Sequence, residues 1–306
     1  MSVRHFLTVG DLSVDEFEQV LHDAAVWKRN PAGDVLAGKT VALLFSKPST
    51  RTRVSFSVAV TELGGTALDL SGQELHLGKS ESIADTARVL SRYVDAVVIR
   101  TFAQHDVEEF ARHATVPVIN GLTDEEHPCQ GLTDIFTFRE RFPTWRGRKI
   151  TYLGDGNNVA VSLAEAALMA GVNMCLSVPE GCDLPSAKLA VLEKIAKRAG
   201  ARVWVERDPK QAVVDASALY TDVWISMGQS HHEKKLAALQ PYQLNTGLLA
   251  LARPDAIVMH CLPAHRGQEI TDEVMDGPQS VVFDQAENRL HVQKALLAFL
   301  LKGASA

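Results

Sequence analysis

The 306-residue chain contains no run of 18 apolar residues, so no membrane-spanning helix is expected. It has no block of basic residues. Asp and Glu number 37 against 31 Lys and Arg, a formal charge of −6, which argues against a nucleic-acid or anionic-membrane surface. That total leaves room for a locally positive pocket that takes a small anion. Cysteine is scarce. Cys129, Cys175, Cys182 and Cys261 form no C-x-x-C pair, which disfavours a zinc knuckle or redox dithiol and points to a reducing, cytoplasmic compartment. The first residues, Met1 to Phe6, lack the apolar core of a signal peptide. Internal repeats and low-complexity tracts are absent as well.

What is present is an ordinary globular composition, 46% hydrophobic and 22% charged, in a length that suits roughly two domains. Apolar spacing predicts helices near 13–28, 51–64, 82–93, 105–113 and 130–141. Strands are expected at 40–45, 95–100 and 116–120, and the polar, glycine-punctuated stretch Leu70 to Ser80 reads as a loop. After the turn-rich Pro143 to Gly147 the pattern resumes. Strands are expected near 149–153, 173–178, 202–205, 218–223, 256–260 and 280–283, and helices near 158–170, 185–199, 233–239, 245–252 and 287–301. This alternation implies an α/β protein of two domains, each with a central, mainly parallel sheet flanked by helices and joined by interdomain helices.

In open parallel sheets, ligands bind beyond the carboxyl ends of the strands. The first such place is Ser49-Thr50-Arg51-Thr52, where the strand 40–45 gives way to a helix. First-turn N–H groups, hydroxyls and a guanidinium make an anion site there. An ordinary capped helix, with Ser49 or Thr50 as N-cap, explains the same residues. The other predicted strands end at Arg100, His127 to Gln130, Asp155 to Asn158, Asp222 and His260 to Pro263, all expected on one cleft.

Several motifs fail their own tests. Gly154-Asp155-Gly156-Asn157-Asn158-Val159 lacks the third glycine of a dinucleotide fingerprint, and no ribose-binding carboxylate ends the next strand. Its glycines are expected to let the backbone approach some other ligand. Gly72 to Ser80 misses the phosphate-loop spacing, with Gln73 at a required glycine. His231-His232-Glu233 and His260-Cys261 lack metal-ligand spacing, so no metal and no cofactor are expected. Neighbouring strand residues face opposite ways, so His260 is poorly placed to activate Cys261 as a nucleophile. Asp222, followed by Ser226-Met227-Gly228, suits a grip on an α-amino acid, though a capping aspartate reads equally well from the motif alone.

Taken together, these pieces resemble the aspartate/ornithine carbamoyltransferase family. They include Ser49-Thr50-Arg51-Thr52, Arg100, His127-Pro128-Cys129-Gln130, Gly154 to Asn158, Asp222 with Ser226-Met227-Gly228, His260-Cys261-Leu262-Pro263 and Glu287-Asn288-Arg289. The resemblance spans nearly the whole chain, and its later pieces point to ornithine rather than aspartate. It implies a carbamoyl-phosphate domain over residues 1–144, an ornithine domain over 145–286 and a last helix, 287–306, returning to the first. It assigns carbamoyl phosphate to Ser49, Thr50, Arg51, Thr52, His76, Arg100, His127, Gln130, Cys261, Leu262 and Arg289. L-ornithine falls to Asn158, Asp222, Ser226 and Met227, and Arg100, His127 and Cys261 take catalytic roles. It also implies a homotrimer with shared sites. A carbamoyltransferase using putrescine, an N-acylornithine or aspartate is the alternative.

Overall fold

The computed structural model describes residues 3–71, 81–225 and 233–302. The chain opens with α1 (Val14–Arg29), β1 (Thr40–Phe45), α2 (Thr50–Glu62), β2 (Thr66–Ser71), α3 (Ile83–Leu90) and β3 (Ala96–Arg100). It continues with α4 (Gln104–His113), β4 (Val118–Leu122), α5 (Pro128–Arg141), β5 (Lys149–Leu153), α6 (Asn158–Met169), β6 (Asn173–Ser177) and α7 (Ser186–Ala199). Then come β7 (Val203–Val205), α8 (Pro209–Val213), β8 (Ala218–Thr221), α9 (Glu233–Leu239), α10 (Thr246–Leu249), β9 (Ile257–Met259), α11 (Asp272–Met275) and α12 (Val282–Lys302).

Two compact units result, residues 1–132 with 288–306 and residues 133–287. The chain passes from one to the other inside α5 and again inside α12.

In the first unit, local signals start the helices. Ser13 caps α1 through a reciprocal box with Glu16, and Ser82 caps α3 by accepting from the Asp85 N–H at 3.0 Å. Its sheet is parallel, in the order β2-β1-β3-β4. The inner strands β1 and β3 are apolar and almost wholly buried, as strands covered on both faces must be. Phe110 and Ala111 of α4, Leu90 of α3, and Val97 and Ile99 of β3 share one core. The chain steps outward from β1 to β2, then crosses back to β3, so the order reverses between β1 and β3. A crevice opens at such a switch point, at the carboxyl ends of the two strands.

The second unit repeats the design with five parallel strands in the order β7-β6-β5-β8-β9. Its switch point lies between β5 and β8. Helix α6 is buried along almost its whole length, which its Val/Ala/Leu composition allows.

Three readings of the sequence need correction. The run Ser280 to Phe283 is not a strand: Ser280 makes one bridge to Val258, and α12 starts at Val282. Its β-branched pair looked strand-like, but Val281 and Val282 are buried at a helix start instead. Glu287-Asn288-Arg289 therefore lies inside the last helix and does not open it. Strand β2 went unread because this edge strand carries Asp69 and alternates with solvent, so it presents no apolar run; Leu70 and Ser71 belong to it and not to a loop. The remaining residues of that expected loop, 72–80, lie outside the described residues.

The glycines after β5 also serve the fold more than a ligand. Gly154 has φ +133°, a conformation open to glycine alone. A Cβ at Gly156 would stand 2.5 Å from the Cys182 carbonyl oxygen and 2.8 Å from the backbone of Asp183 and Leu184. The approach it permits is to the chain's own 182–184 segment, where the Gly156 N–H donates to the Cys182 carbonyl at 2.8 Å. Gly156→Ala is therefore expected to cost about 1–3 kcal/mol through overpacking against backbone. Urea unfolding of both proteins checks this; an unchanged midpoint would show that the 182–184 segment yields freely.

Candidate functional site

Each unit gathers the residues singled out in the sequence at its own switch point. In the first unit the Ser46 N–H donates to the Arg100 carbonyl at 2.8 Å, zipping the ends of β1 and β3 together. Helix α2 starts there. Ser49 occupies its N-cap position, but its hydroxyl caps nothing and no acidic residue sits in the first turn. Helices α1 and α3 have both features. The first-turn N–H groups of α2 thus receive neither a side-chain cap from Ser49 nor a first-turn carboxylate. Of the two sequence readings, capping and anion binding, the side-chain cap from Ser49 is not made.

Behind this helix start lies a buried polar cluster. The Thr52 hydroxyl accepts from Arg289 Nη2 at 2.7 Å and from Arg100 Nη1 at 3.3 Å. Arg289 Nη1 donates to the Gln130 side-chain oxygen. Thr52, Arg100, His127, Gln130 and Arg289 are all at most 6% exposed, whereas Arg51 is exposed. Pro128, pre-set for a first helical residue, starts α5 directly after His127, whose carbonyl accepts from the Gln130 and Gly131 N–H groups. Burial pushes the His127 imidazole well below its ordinary range, and the charges of Arg289, Arg100 and Arg51 push the same way. A neutral imidazole among three guanidiniums can donate a hydrogen bond without adding charge. Lys47, also buried, pairs with Asp124 and lies 4.4 Å from the Phe102 ring centroid.

In the second unit the centre is Asp222, just past β8 and 5% exposed. Its Oδ1 accepts from the Cys261 thiol at 3.1 Å and its Oδ2 from the Asn157 amide at 2.8 Å. Asn157 is itself fixed, because its Oδ1 caps α6 by accepting from the Val159 and Ala160 N–H groups and accepts from the Tyr152 hydroxyl at 3.2 Å. The carboxylate is held from β5 and from β9 at once.

The segment after β9 is shaped by His260. Its Nδ1 accepts from the Leu262 N–H at 2.9 Å and its Nε2 faces Glu269 Oε1 at 3.2 Å, both residues fully buried. The Leu262 contact puts the ring proton on Nε2. Leu262 takes φ +60°, a strained value for a branched side chain, held by these contacts. The same geometry explains why His260 does not activate Cys261: the imidazole turns to Leu262 and Glu269, and the thiol turns to Asp222.

Ligand atoms of Asp222, His260 and Cys261 lie within 4.8 Å of one another, a cluster the spacing of the sequence did not suggest. A cation there would have to break the Leu262–His260 and Cys261–Asp222 contacts just described.

The structure therefore brings Ser49 to Thr52, Arg100, His127, Gln130 and Arg289 together in one unit, and Asp222, Cys261 and Leu262 in the other. Asn158 is half-buried beside them at the start of α6, its Oδ1 at 3.0 Å from the Val159 N–H. His76, Ser226 and Met227 lie outside the described residues. Sequence reasoning missed Asn157 as the residue that orients Asp222, and Glu269 as the partner of His260. A strand-end asparagine just before a helix was the available signal for the first, since such residues cap. Asp155, another strand-end residue, pairs with Lys235 at 2.7 Å instead of facing a ligand unaided.

Comparison with known proteins also divides the chain in two, between residues 140 and 146. Residues 4–140 match the carbamoyl-P binding domain of aspartate/ornithine carbamoyltransferases, and residues 146–300 match the Asp/Orn binding domain. An ornithine carbamoyltransferase of Mesorhizobium japonicum is 51% identical over 98% of this chain and 99% of its own length. One from Methanopyrus kandleri is 50% identical over 98% of each. Among solved structures, ornithine carbamoyltransferase from Pyrococcus furiosus superposes with a TM-score of 0.95 at 48% identity, covering 99% of this chain and 98% of that one. An acetylornithine transcarbamylase complexed with acetylcitrulline gives 0.90 at 33% identity, over 97% of this chain and 99% of that one. The two domain matches together cover nearly the whole chain, and the chain belongs to the aspartate/ornithine carbamoyltransferase family.

Proposed function

We propose that this protein transfers the carbamoyl group of carbamoyl phosphate to the δ-amine of L-ornithine, giving L-citrulline and phosphate, as a step of arginine biosynthesis. The observation that carries the reading is Asp222, a nearly buried carboxylate fixed by Asn157 and Cys261, in a chain whose other unit holds the buried Thr52, Arg100 and Arg289 cluster.

The roles follow from charge and donor type. Ser49, Thr50, Arg51 and Thr52 bind the phosphate at the start of α2, with His76 added. Arg100, Thr52 and neutral His127 donate to the carbonyl oxygen, where negative charge grows as the amine attacks. Gln130 and the carbonyls of Cys261 and Leu262 accept from the carbamoyl NH2, and Arg289 holds Gln130 and Thr52 in place. Asn158, Ser226 and Met227 bind the ornithine backbone groups, and Asp222 pairs with its α-ammonium. Cys261 positions the δ-amine. The amine nitrogen forms a bond to the carbonyl carbon, the carbon–oxygen bond to phosphate breaks, and the amine proton passes to the departing phosphate; no covalent enzyme intermediate and no cofactor are required. Positioning and electrostatics supply the acceleration.

Asp222 also favours ornithine over aspartate and over an N-acylated ornithine. Aspartate would bring a second carboxylate to a carboxylate, and an N-acylated ornithine has no α-ammonium to pair with it. The reading further includes a homotrimer with shared sites. Val54 and Val58 on α2 and Leu68 on the edge strand β2 support it, since all three are exposed apolar residues of the first unit. Four free cysteines support a reducing, cytoplasmic setting.

Citrulline formation from carbamoyl phosphate tests the activity, with ornithine, putrescine, N-acetylornithine and aspartate compared side by side. Ornithine is expected to be preferred by at least 100-fold in kcat/KM; equal or better use of another amine overturns the acceptor assignment. The δ-amine has a free pKa of about 10.4 by analogy with lysine, so its neutral form grows roughly tenfold per pH unit near neutrality. The rate at low ornithine is therefore expected to climb from pH 7 into the alkaline range, and a flat profile contradicts attack by the free amine. Asp222→Ala is expected to raise the KM for ornithine far more than that for carbamoyl phosphate. Equal losses for both substrates would mean that Asp222 supports the fold and not the acceptor.

A further inference from the structure

The amino ends of the strands in the second unit carry a feature that carbamoyl transfer does not use. Lys149 and Asn173, the first residues of β5 and β6, and Arg202 and Ser217, just before β7 and β8, line a cavity of about 600 Å³. A second concavity of about 360 Å³ shares Arg202 and Trp204 with it and adds Lys197 and Glu193, whose charges offset. Asp222 stands at the other edge of the same sheet, roughly 16 Å away by the length of one five-residue strand.

The larger cavity is strongly cationic. Arg146, Arg148, Lys149, Arg202 and Arg253 line it with one carboxylate, Asp215. Asp255 joins Arg253 at 2.9 Å and Arg148 at 3.4 Å. Arg148, Lys149, Arg202 and Arg253 alone exceed these two carboxylates by two positive charges, on a chain whose total is −6. Part of this charge serves the fold. Lys149 donates to the carbonyls of Ala212, at 3.0 Å, and Val214, and Arg148 donates to the Thr144 carbonyl at 2.8 Å. The side chains of Arg202 and Lys197 have no such duty: neither makes a hydrogen bond or ion pair among the described residues. The half-buried Trp204 ring has Arg202 at 5.8 Å and Lys149 at 5.9 Å from its centroid.

A flat aromatic surface beside surplus cations, in a cavity of small-molecule size, fits a ligand with a planar ring and several negative charges. We propose that this edge binds a nucleoside polyphosphate, its phosphates on Arg202 and Arg253 and its base stacked on Trp204. A nucleic acid would need a basic surface beyond the cavity, which the acidic chain does not offer.

Calorimetric titration of the full-length protein with ATP, inorganic tripolyphosphate and adenosine, with and without saturating carbamoyl phosphate, tests the proposal. ATP is expected to bind, more tightly than tripolyphosphate or adenosine, and with the same affinity when carbamoyl phosphate is present. Arg202→Glu and Trp204→Leu are each expected to weaken ATP binding at least tenfold, and Arg202→Glu is expected to leave citrulline formation without ATP unchanged. The proposal is overturned by absence of ATP binding, by affinity that neither substitution alters, by tripolyphosphate binding as tightly as ATP, or by displacement of ATP by carbamoyl phosphate. The last result would assign ATP to the start of α2.

Discussion

Burying positive charge is costly, and the first unit gathers two buried guanidiniums around one hydroxyl. Thr52 accepts from Arg289 and Arg100 in a pocket where His127 is kept neutral by desolvation and by those same cations. Such a cluster is poor material for a stable core. It makes sense as a preorganised environment for charge that the substrate brings and the reaction develops. The uncapped start of α2 suits the proposed phosphate site, because a cap that satisfied its first-turn N–H groups would compete with an anion.

The second unit applies the opposite charge by the same means. Asp222, a nearly buried carboxylate at its switch point, is held from two sides by Asn157 and Cys261, and Asn157 is in turn anchored as the cap of α6. Glu269 and His260 hold the strained Leu262 backbone next to Cys261. Asp222 therefore rests on a residue that is itself locked by backbone hydrogen bonds, which leaves it little freedom to reorganise in the proposed reaction.

Much of this was legible in the sequence. Parallel strands buried on both faces read as apolar runs, and strand ends are where such folds put ligands, so Ser49 to Thr52, Arg100, Asp222 and Cys261 could be named before any coordinates. What stayed hidden depends on partners far apart in the chain. Asn157 meets Asp222 across 65 residues, and Arg289 meets Thr52 across 237. Local pattern carries no record of such pairs. Gly156 was read as making room for a ligand, when the atoms it admits are the chain's own backbone at Cys182 to Leu184. The start of α12 was misread because burial of Val281 and Val282 looks the same in a strand and in a first helical turn.

The central claim is that the buried guanidiniums exist to hold carbamoyl phosphate. Calorimetric titration of carbamoyl phosphate alone into the wild type and into Arg289→Met, both shown to be folded by their unfolding curves, tests it directly. The account predicts saturable binding to the wild type and an affinity at least 100-fold weaker in the variant. Equal affinity in the two proteins would contradict it.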